Sequence, residues 1–247
     1  MQLLVSVRSV VEVVQALAGG ADIIDAKEPS RGSLGAVAPE TLAAILAEVP
    51  LDCPCSAALG DLATGEAVVE AIRPLRLQRR APVFLKLGFA GLQSEAGVGR
   101  LIEEAVRAAA NHPARPRVVA VAYADAARAC TPPPVAMLRL AQEAGAHGVL
   151  LDTHVKDGRG LLRVFSVDAL GEWVSEARRR RLLSALAGEI RPADLRAIER
   201  LGPDVVGVRG SACEGGRGGI VTAWRVRALR SALEQGEFGL SPRGASG

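Results

Sequence analysis

Residues 21–35, with the sequence ADIIDAKEPSRGSLG, decide both the fold and the place of its chemistry. Ile23 and Ile24 predict a short buried strand that ends in charged residues, and the following EPSRGSLG, with its proline and glycines, predicts a loop. Side chains on a strand alternate between its two faces, so Asp25 and Lys27 point the same way. If that face is the inner one, a lysine lies beside a carboxylate at the mouth of a barrel or sheet.

Lysine is rare in this chain. The sequence has 30 basic residues, and only Lys27, Lys86 and Lys156 are lysines, so all the others are arginines. The retained lysines indicate positions where a primary amine is needed, because an amine can lose its proton and attack a carbonyl. Mutational bias towards arginine is the alternative explanation, and the location of all three lysines at strand ends argues against it.

The composition excludes several classes of protein. A chain of 247 residues, 49% of them hydrophobic and mostly aliphatic, is typical of a single α/β barrel. The net charge is only +3, and no aromatic residues accompany the basic ones, which argues against nucleic-acid binding. No stretch approaches the length of a membrane span, and the N-terminal MQLLVSVRS predicts a strand instead of a signal peptide. We therefore expect a cytoplasmic protein.

Strand and helix patterns alternate eight times along the chain. The predicted strands cover residues 2–7, 22–27, 53–58, 82–89, 117–123, 148–153, 182–187 and 204–210, and a helix follows each of them. Eight such units are the count of a single (β/α)8 TIM barrel, and the alternation requires a parallel sheet. We predict one catalytic domain over residues 1–235 and a disordered tail over residues 236–247.

The three lysines fall where a TIM barrel carries its active site, at the C-terminal ends of the strands. Lys27, Lys86 and Lys156 belong to the second, fourth and sixth strands or to the loops after them, and alternate strands share layers of inward side chains. Asp25 and Asp152 are expected to balance part of the charge of Lys27 and Lys156. Clustering and burial would lower the pKa of at least one lysine, which would then form a Schiff base with an aldehyde or ketone.

Two glycine-bearing loops follow the seventh and eighth strands, AGEIRP around residue 188 and VRGSACEGGRGG at residues 208–219. TIM barrels commonly bind phosphate at this position, on backbone amides and a helix N-terminus. We therefore expect a phosphorylated carbonyl substrate. The predicted phosphate contacts are Gly188, Arg209, Gly210, Gly215 and Gly216, with added charge from Arg217.

The histidines and cysteines give weaker signals. His154 lies between Asp152 and Lys156 and is a candidate proton relay, whereas His112 and His147 are interpreted as structural. The four cysteines form no CxxC pair, no ligand spacing resembles a zinc site, and no Ser/His/Asp arrangement can be assembled. We expect a reaction that needs neither a metal nor a cofactor.

Four motifs carry a family resemblance: LLVSV near the N-terminus, GGADIIDAKEPSRGSLGA at residues 19–36, FLKLG at 84–88 and LDTHVKDG at 151–158. With these motifs the chain resembles the (5-formylfuran-3-yl)methyl phosphate synthase family, also called 4-(hydroxymethyl)-2-furancarboxaldehyde-phosphate synthase, over almost its whole length. The resemblance implies a lyase of methanofuran biosynthesis that condenses two glyceraldehyde 3-phosphate molecules into a furan phosphate, releasing phosphate and water. It also implies that Lys27 is the Schiff-base lysine and Lys86 the proton acceptor, with Asp25, Asp152 and Lys156 in support.

Other functions are compatible with the same residues. A class I aldolase acting on a phosphosugar would use the same lysine and loops, but it would release no phosphate. A non-catalytic barrel would bind a phosphometabolite without turnover. The lysines would have no chemical role if they only formed ion pairs with Asp25, Glu28, Asp152 and Asp157. The expected partners are a small triose phosphate substrate and further copies of the chain in a homo-oligomer, whose size the sequence does not set.

Overall fold

The computed structural model of the protein describes residues 1–77 and 81–234. The tail predicted over residues 236–247 lies outside the described residues. Within them the strands and helices alternate around a closed barrel of eight parallel strands. The TIM-barrel prediction is confirmed.

The barrel strands are β1 (Gln2–Val7), β2 (Ile23–Ala26), β3 (Cys55–Asp61), β4 (Val83–Gly88), β5 (Arg117–Tyr123), β6 (Gly148–Asp152), β7 (Leu183–Leu186) and β8 (Val205–Val208). Each strand pairs with its neighbours in chain order, and β8 pairs with β1, which closes the sheet. The strand ends lie within three residues of the predicted ones, because the runs of valine, isoleucine and leucine mark buried parallel strands clearly.

The helices are α1 (Val10–Ala18), α2 (Pro39–Glu48), α3 (Gly65–Ile72), α4 (Glu95–Asn111), α5 (Ala126–Ala129), α6 (Pro134–Glu143), α7 (Leu161–Val164), α8 (Val167–Arg179), α9 (Leu195–Leu201) and α10 (Ala223–Glu234). Four of them begin after a serine or threonine whose side chain accepts a hydrogen bond from a backbone N–H of the first turn: Ser9, Thr64, Ser94 and Ser166. The cap at Ser94, for example, starts α4 at Glu95. None of the described helices is long and apolar enough to cross a membrane.

Three small elements were not predicted. The helices α5 and α7 have only four residues each, too few for a recognisable hydrophobic period. The glycine-rich segment after β8 folds into a two-stranded antiparallel hairpin, β9 (Cys213–Glu214) and β10 (Ile220–Val221). This hairpin gives the loop after β8 a defined shape at the mouth of the barrel.

Apolar side chains fill the protein in two layers. The larger layer lies between the strands and the helices, with residues such as Val5, Leu85 and Val149. The smaller one fills the inside of the barrel, where Ile23 and Phe84 are buried with residues from the other strands. Towards the C-terminal ends of the strands the inner side chains become polar, and they must satisfy one another because water cannot reach them freely.

The pairing register sets which polar groups meet. Ser6 of β1 lies beside Asp25 of β2, and Asp25 lies beside Ser56 of β3. The alternation of side chains then places Lys27, two residues after Asp25, on the same inward side of the barrel. The strand geometry alone therefore places the carboxylate of Asp25 between the hydroxyls of Ser6 and Ser56, two residues before Lys27.

Candidate active site

A cavity of about 280 Å³ lies at the C-terminal ends of the barrel strands. Apolar side chains of the barrel interior line its base, and the loops after β7 and β8 line its mouth. Its charged lining residues are Lys27, Lys86, Asp152, Lys156, Glu189, Arg191, Arg209 and Arg217. All three lysines of the chain thus meet in one volume, as their places at the ends of alternate strands predict.

Lys86, which lines the cavity, forms a buried ion pair with Asp25. Their Nζ and Oδ1 atoms are 2.7 Å apart, and both side chains are almost fully excluded from solvent. Ser6 and Ser56 donate hydrogen bonds to the two oxygens of Asp25, at 2.7 and 2.6 Å. Burial raises the pKa of Asp25, but the charges of Lys86 and Lys27 and the hydrogen bonds outweigh it and lower the pKa, so the carboxylate is ionised.

Lys156 and Asp152 form a second pair at the end of β6. The Nζ atom of Lys156 donates to Asp152 Oδ1 at 2.6 Å and to Thr153 Oγ1 at 3.1 Å. Burial raises the pKa of Asp152, and the charges of Lys156 and Lys27 together with hydrogen bonds more than reverse the effect, so the net shift is downward. Lys156 remains partly exposed, so this pair lies closer to solvent than the pair of Lys86 and Asp25.

Lys27 differs from the other two lysines. Its side chain is 8% exposed, and among the described residues its ammonium makes no direct ion pair. Burial lowers its pKa from 10.5 to about 8, partly offset by the charges of Asp152 and Asp25 and reinforced by Lys86. A substantial fraction of this amine is therefore neutral near physiological pH, which is the state that attacks a carbonyl.

Arg209 lines the cavity and makes an extensive set of hydrogen bonds. A guanidinium has five N–H donors, and those of Arg209 bond to both carboxylate oxygens of Glu12 and to the carbonyl oxygens of Ser6, Arg217 and Gly219, at 2.9 to 3.2 Å. All five donors are engaged inside the protein. The side chain of Arg209 thus fixes the loop after β8, and its direct contact with a phosphate stays a prediction.

The predicted phosphate glycines lie in the expected loops. Gly188, Gly210 and Gly216 line the cavity, whereas Gly215 lies one residue outside its lining. Gly188 has a φ of +109°, and a Cβ at this position would lie 3.0 Å from the backbone nitrogen of Thr153. Only glycine lets the loop after β7 approach the end of β6 so closely.

Arg191 and Arg217 also line the cavity. Arg191 was not predicted as a site residue, since one exposed arginine among 27 gives no distinguishing signal. Its Nη2 atom donates to the carbonyl of Gly158 at 2.5 Å, which ties the loops after β6 and β7 together. The two arginines place positive charge at the mouth of the cavity, above the lysines.

The opposite part of the barrel mouth, which we call the closed side, consists of Ser33, Leu34, Asp61 and Tyr123. The fully buried Tyr123 donates to Asp61 Oδ1 at 2.7 Å, and Ser33 donates to the Tyr123 hydroxyl at 3.3 Å. Burial raises the pKa of Tyr123 well above its usual value, and the charge of Asp61 adds to the effect, so the phenol stays neutral. Leu34 packs over the barrel interior from the loop after β2.

His154 packs against the closed side and does not line the cavity. Its ring packs edge-on against Tyr123 with centroids 5.0 Å apart, and its buried Nδ1 atom has no partner among the described residues. Its backbone N–H donates to Asp125 at 2.6 Å. The strand end turns between Asp152 and Lys156, so the candidate proton relay lies beside the site and the structure does not bring it into the cavity.

The fold and the site define a TIM-barrel enzyme whose cavity combines a free amine, two lysine–aspartate pairs and an arginine-bearing mouth. Comparison with known proteins identifies the family. A model of the 4-HFC-P synthase family matches residues 3–230, and the chain belongs to this family. The family resemblance of the four motifs is confirmed.

Its relatives include two archaeal proteins named (5-formylfuran-3-yl)methyl phosphate synthase. The protein of Methanocaldococcus jannaschii is 38% identical over 216 residues, which cover 87% of this chain and 92% of the relative. The protein of Methanopyrus kandleri is 37% identical over 234 residues, which cover 94% of this chain and 98% of the relative. Each match therefore spans most of this chain and most of the relative.

Solved structures with the same architecture are more distant. The 3-hexulose-6-phosphate synthase of Salmonella typhimurium superposes with a TM-score of 0.64 at 19% identity, covering 96% of this chain and 100% of that one. A phosphoribosyl anthranilate isomerase of Thermus thermophilus superposes with a TM-score of 0.61 at 17% identity, covering 95% and 99%. At these identities the likeness establishes the fold alone.

Proposed function

We propose that this enzyme is a lyase that condenses two molecules of glyceraldehyde 3-phosphate into (5-formylfuran-3-yl)methyl phosphate through a Schiff base on Lys27. The observation that carries the proposal is the amine of Lys27, which is buried in the cavity, has no direct ion pair within residues 1–77 and 81–234, and has a pKa of about 8. The names of the family members support the identity of the product. The product would serve the biosynthesis of a methanofuran-type cofactor.

The proposed reaction balances without an oxidant or reductant. Two triose phosphates, each C3H7O6P in the neutral form, contain the six carbons of the furan product, C6H7O6P. The atoms left over are those of one phosphoric acid and two waters. The enzyme thus needs only acid, base and an electron sink, which the lysines and aspartates of the cavity can supply.

The first step is the attack of neutral Lys27 on the aldehyde carbon of one triose phosphate. A carbinolamine forms and loses water to give an imine, and its protonated form withdraws electrons from the neighbouring carbon. The proton on that carbon becomes acidic as a result. Its removal gives an enamine whose electron pair can expel phosphate from the next carbon or form the new carbon–carbon bond.

The pair of Lys86 and Asp25 is the proposed proton acceptor. Lys86 can take a proton from the substrate only in its neutral form, so its own proton must first leave to solvent through the cavity. Asp25, at 2.7 Å, stays ionised and holds the amine of Lys86 in position. This assignment agrees with the role that the family resemblance implies for Lys86.

The pair of Lys156 and Asp152 is proposed to supply protons to the leaving groups. The ammonium of Lys156 lines the cavity and is held at 2.6 Å by Asp152, so it can protonate a departing hydroxide or phosphate and then be recharged from solvent. The loops after β7 and β8 would hold the substrate phosphate on the backbone amides of Gly188, Gly210 and Gly216. Ring closure and loss of water then give the aromatic furan.

The test is chemical trapping of the imine. The protein is incubated with glyceraldehyde 3-phosphate and sodium borohydride, and intact mass and peptide mapping locate the adduct. A triose-phosphate adduct on the peptide that contains Lys27, absent in Lys27→Arg, is the expected result. An adduct on Lys86 or Lys156 would reassign the nucleophile, and substrate binding without any adduct would refute the Schiff-base mechanism.

A phosphate-release assay separates the proposed reaction from an aldolase. The furan synthase is expected to release one phosphate for each pair of triose phosphates consumed, together with a product that absorbs in the near ultraviolet. A class I aldolase would consume the same substrate and release no phosphate. Formation of a six-carbon bisphosphate sugar as the main product would therefore overturn the proposal.

A further inference from the structure

One arginine connects the two loops that flank the cavity. The loop after β8, residues 209–222, which we call the β8 loop, carries Arg217. Its Nη1 and Nη2 atoms donate to the carbonyl oxygens of Pro29 and Gly32, both at 2.6 Å. These two acceptors belong to the loop after β2, residues 27–38, which we call the β2 loop and which begins with Lys27.

The backbone of Arg217 is itself held in place by Arg209. The buried Arg209 donates from Nε to the carbonyl oxygen of Arg217 at 2.9 Å, and its own charge is neutralised by Glu12 at 2.9 Å. A Cβ added to Gly219 would lie 1.6 Å from the carbonyl oxygen of Glu214, so the β8 loop can close this tightly only with glycine there. The backbone of Arg217 is therefore held in place before any ligand arrives.

The charge of Arg217 is not neutralised in the same way. The residue lines the cavity, is partly buried, and makes no ion pair among the described residues. Burial lowers the pKa of Arg217, the charges of Asp152, Glu189 and Glu28 oppose this shift, and the charge of Arg209 adds to it. Two of its five N–H donors bond to the β2 loop, so the guanidinium keeps hydrogen-bonding capacity for an anion.

We propose that Arg217 binds the phosphate group of the substrate and, through its bonds to the β2 loop, couples phosphate binding to the position of Lys27. This inference rests on the proposed function. It assigns the direct charge contact to Arg217 and makes Arg209 a positioning residue. A phosphate bound to Arg217 neutralises its charge and stiffens the bridge, and the bridge holds the loop that starts at Lys27.

Binding of glycerol 3-phosphate, which lacks a carbonyl and cannot form an imine, tests the phosphate contact by titration calorimetry. Arg217→Gln is expected to weaken its binding about tenfold or more, because a charge-assisted hydrogen bond to phosphate is lost. Arg217→Lys keeps the charge and should retain part of the affinity. Arg196→Gln, on the outer helix α9, is the matched control and should bind as the parent does. Unchanged affinity in Arg217→Gln would overturn the phosphate contact.

The coupling is tested with D-glyceraldehyde, which has the aldehyde but no phosphate. In the parent protein, added inorganic phosphate is expected to increase the rate of borohydride trapping of D-glyceraldehyde on Lys27 severalfold, by filling the site at Arg217. In Arg217→Gln the increase should vanish. Phosphate that leaves the parent rate unchanged or lowers it would contradict the coupling, because the bridge would then have no effect on Lys27.

Two controls distinguish a failure of this inference from unfolding of a variant and from a failure of the proposed function. Thermal unfolding of each variant shows whether the loss of the bridge has destabilised the whole barrel. If the parent protein forms no imine with either aldehyde, the proposed function fails. The titration with glycerol 3-phosphate still decides, in that case, whether Arg217 binds phosphate.

Discussion

The two sides of the barrel mouth both bury polar groups, and they use them in opposite ways. On the closed side Tyr123 and Asp61 are each other's partners, with Ser33 and a backbone N–H completing the set. On the cavity side Lys86 and Lys156 have carboxylate partners, but Lys27 has none in direct contact among the described residues. The polar groups of the closed side are satisfied without a ligand, whereas the cavity side leaves the amine of Lys27 without a direct counter-charge there.

The difference follows from the cost of burial. A buried polar group without a partner costs free energy, and a buried charge costs more, so a fully paired cluster mainly stabilises the fold. Lys27 reduces this cost by losing its proton more readily, which is why its pKa falls to about 8. The same desolvation that disfavours the charge of Lys27 raises the fraction of its neutral amine, which is the form that the proposed mechanism needs.

Lys27→Arg is the variant with the largest expected effect, and it tests whether the unpaired lysine of the cavity side is the reactive group. The change keeps a cation in the cavity but removes the primary amine, so no imine can form. We expect release of phosphate from glyceraldehyde 3-phosphate to fall by about a thousandfold or more, and the melting temperature to fall as well, because arginine cannot lose its proton to reduce the cost of burial. Residual activity within tenfold of the parent would show that the amine of Lys27 is not the nucleophile.

Asp25→Asn tests the paired groups on the cavity side. The amide can still bond to both serines, through its oxygen to one and through its NH2 group to the other, but the ammonium of Lys86 is left buried without a counter-charge. We expect the free energy of unfolding to fall by about 3–5 kcal/mol in denaturant titrations. Asp152→Asn should cost less, because Lys156 lies nearer to solvent.

A double variant checks the reason for the Asp25→Asn loss. Replacing both partners, as Asp25→Asn with Lys86→Met, removes the unpaired charge and should recover part of the lost stability. If the double variant is less stable than Asp25→Asn alone, the loss does not come from the buried charge of Lys86.

The pH dependence of trapping reports the state of Lys27. At constant glyceraldehyde 3-phosphate the rate should rise about tenfold per pH unit well below pH 8 and level off above about 8, since only the neutral amine reacts. A lysine with the ordinary pKa of 10.5 would still gain at pH 10. A rate that keeps rising to pH 10 would therefore show that the pKa of Lys27 is not lowered.

The same shift makes a prediction about stability. Between pH 8 and 10.5 the unfolded chain binds more protons at Lys27 than the folded one, so the contribution of this group to the free energy of unfolding increases with pH. Over this range the free energy of unfolding of the parent should rise relative to that of Lys27→Met, because methionine does not titrate. Denaturant titrations at both pH values measure it, and a constant difference would contradict the shift.

Tyr123→Phe should have the smallest effect. It removes the hydroxyl that donates to Asp61, but Asp61 keeps the hydrogen bond from the backbone of Ala90 at 2.9 Å. We expect a loss of about 1 kcal/mol in the free energy of unfolding and less than a twofold change in phosphate release. A large loss of activity with little loss of stability would show that the closed side takes part in the chemistry.

Much of the site follows from local sequence. The alternation of side chains on a strand and the ends of alternate strands bring Lys27, Lys86 and Lys156 together, and both rules act within a few residues of each lysine. The partner of Asp25 could not be found in this way. The sequence suggests its neighbour Lys27, but the barrel places Lys86, 61 positions away along the chain, in direct contact.

The sequence alone therefore determined the eight βα units and the amines of the cavity, because hydrophobic period and strand direction are local properties. Its four motifs also indicated the family. Only the tertiary structure decided which lysine is unpaired, that Arg209 is engaged by Glu12, and that Arg217 reaches the loop of Lys27. These outcomes depend on distances between residues far apart in the chain. Charges and hydrogen bonds act over a few ångströms, so closure of the barrel determines which of them meet.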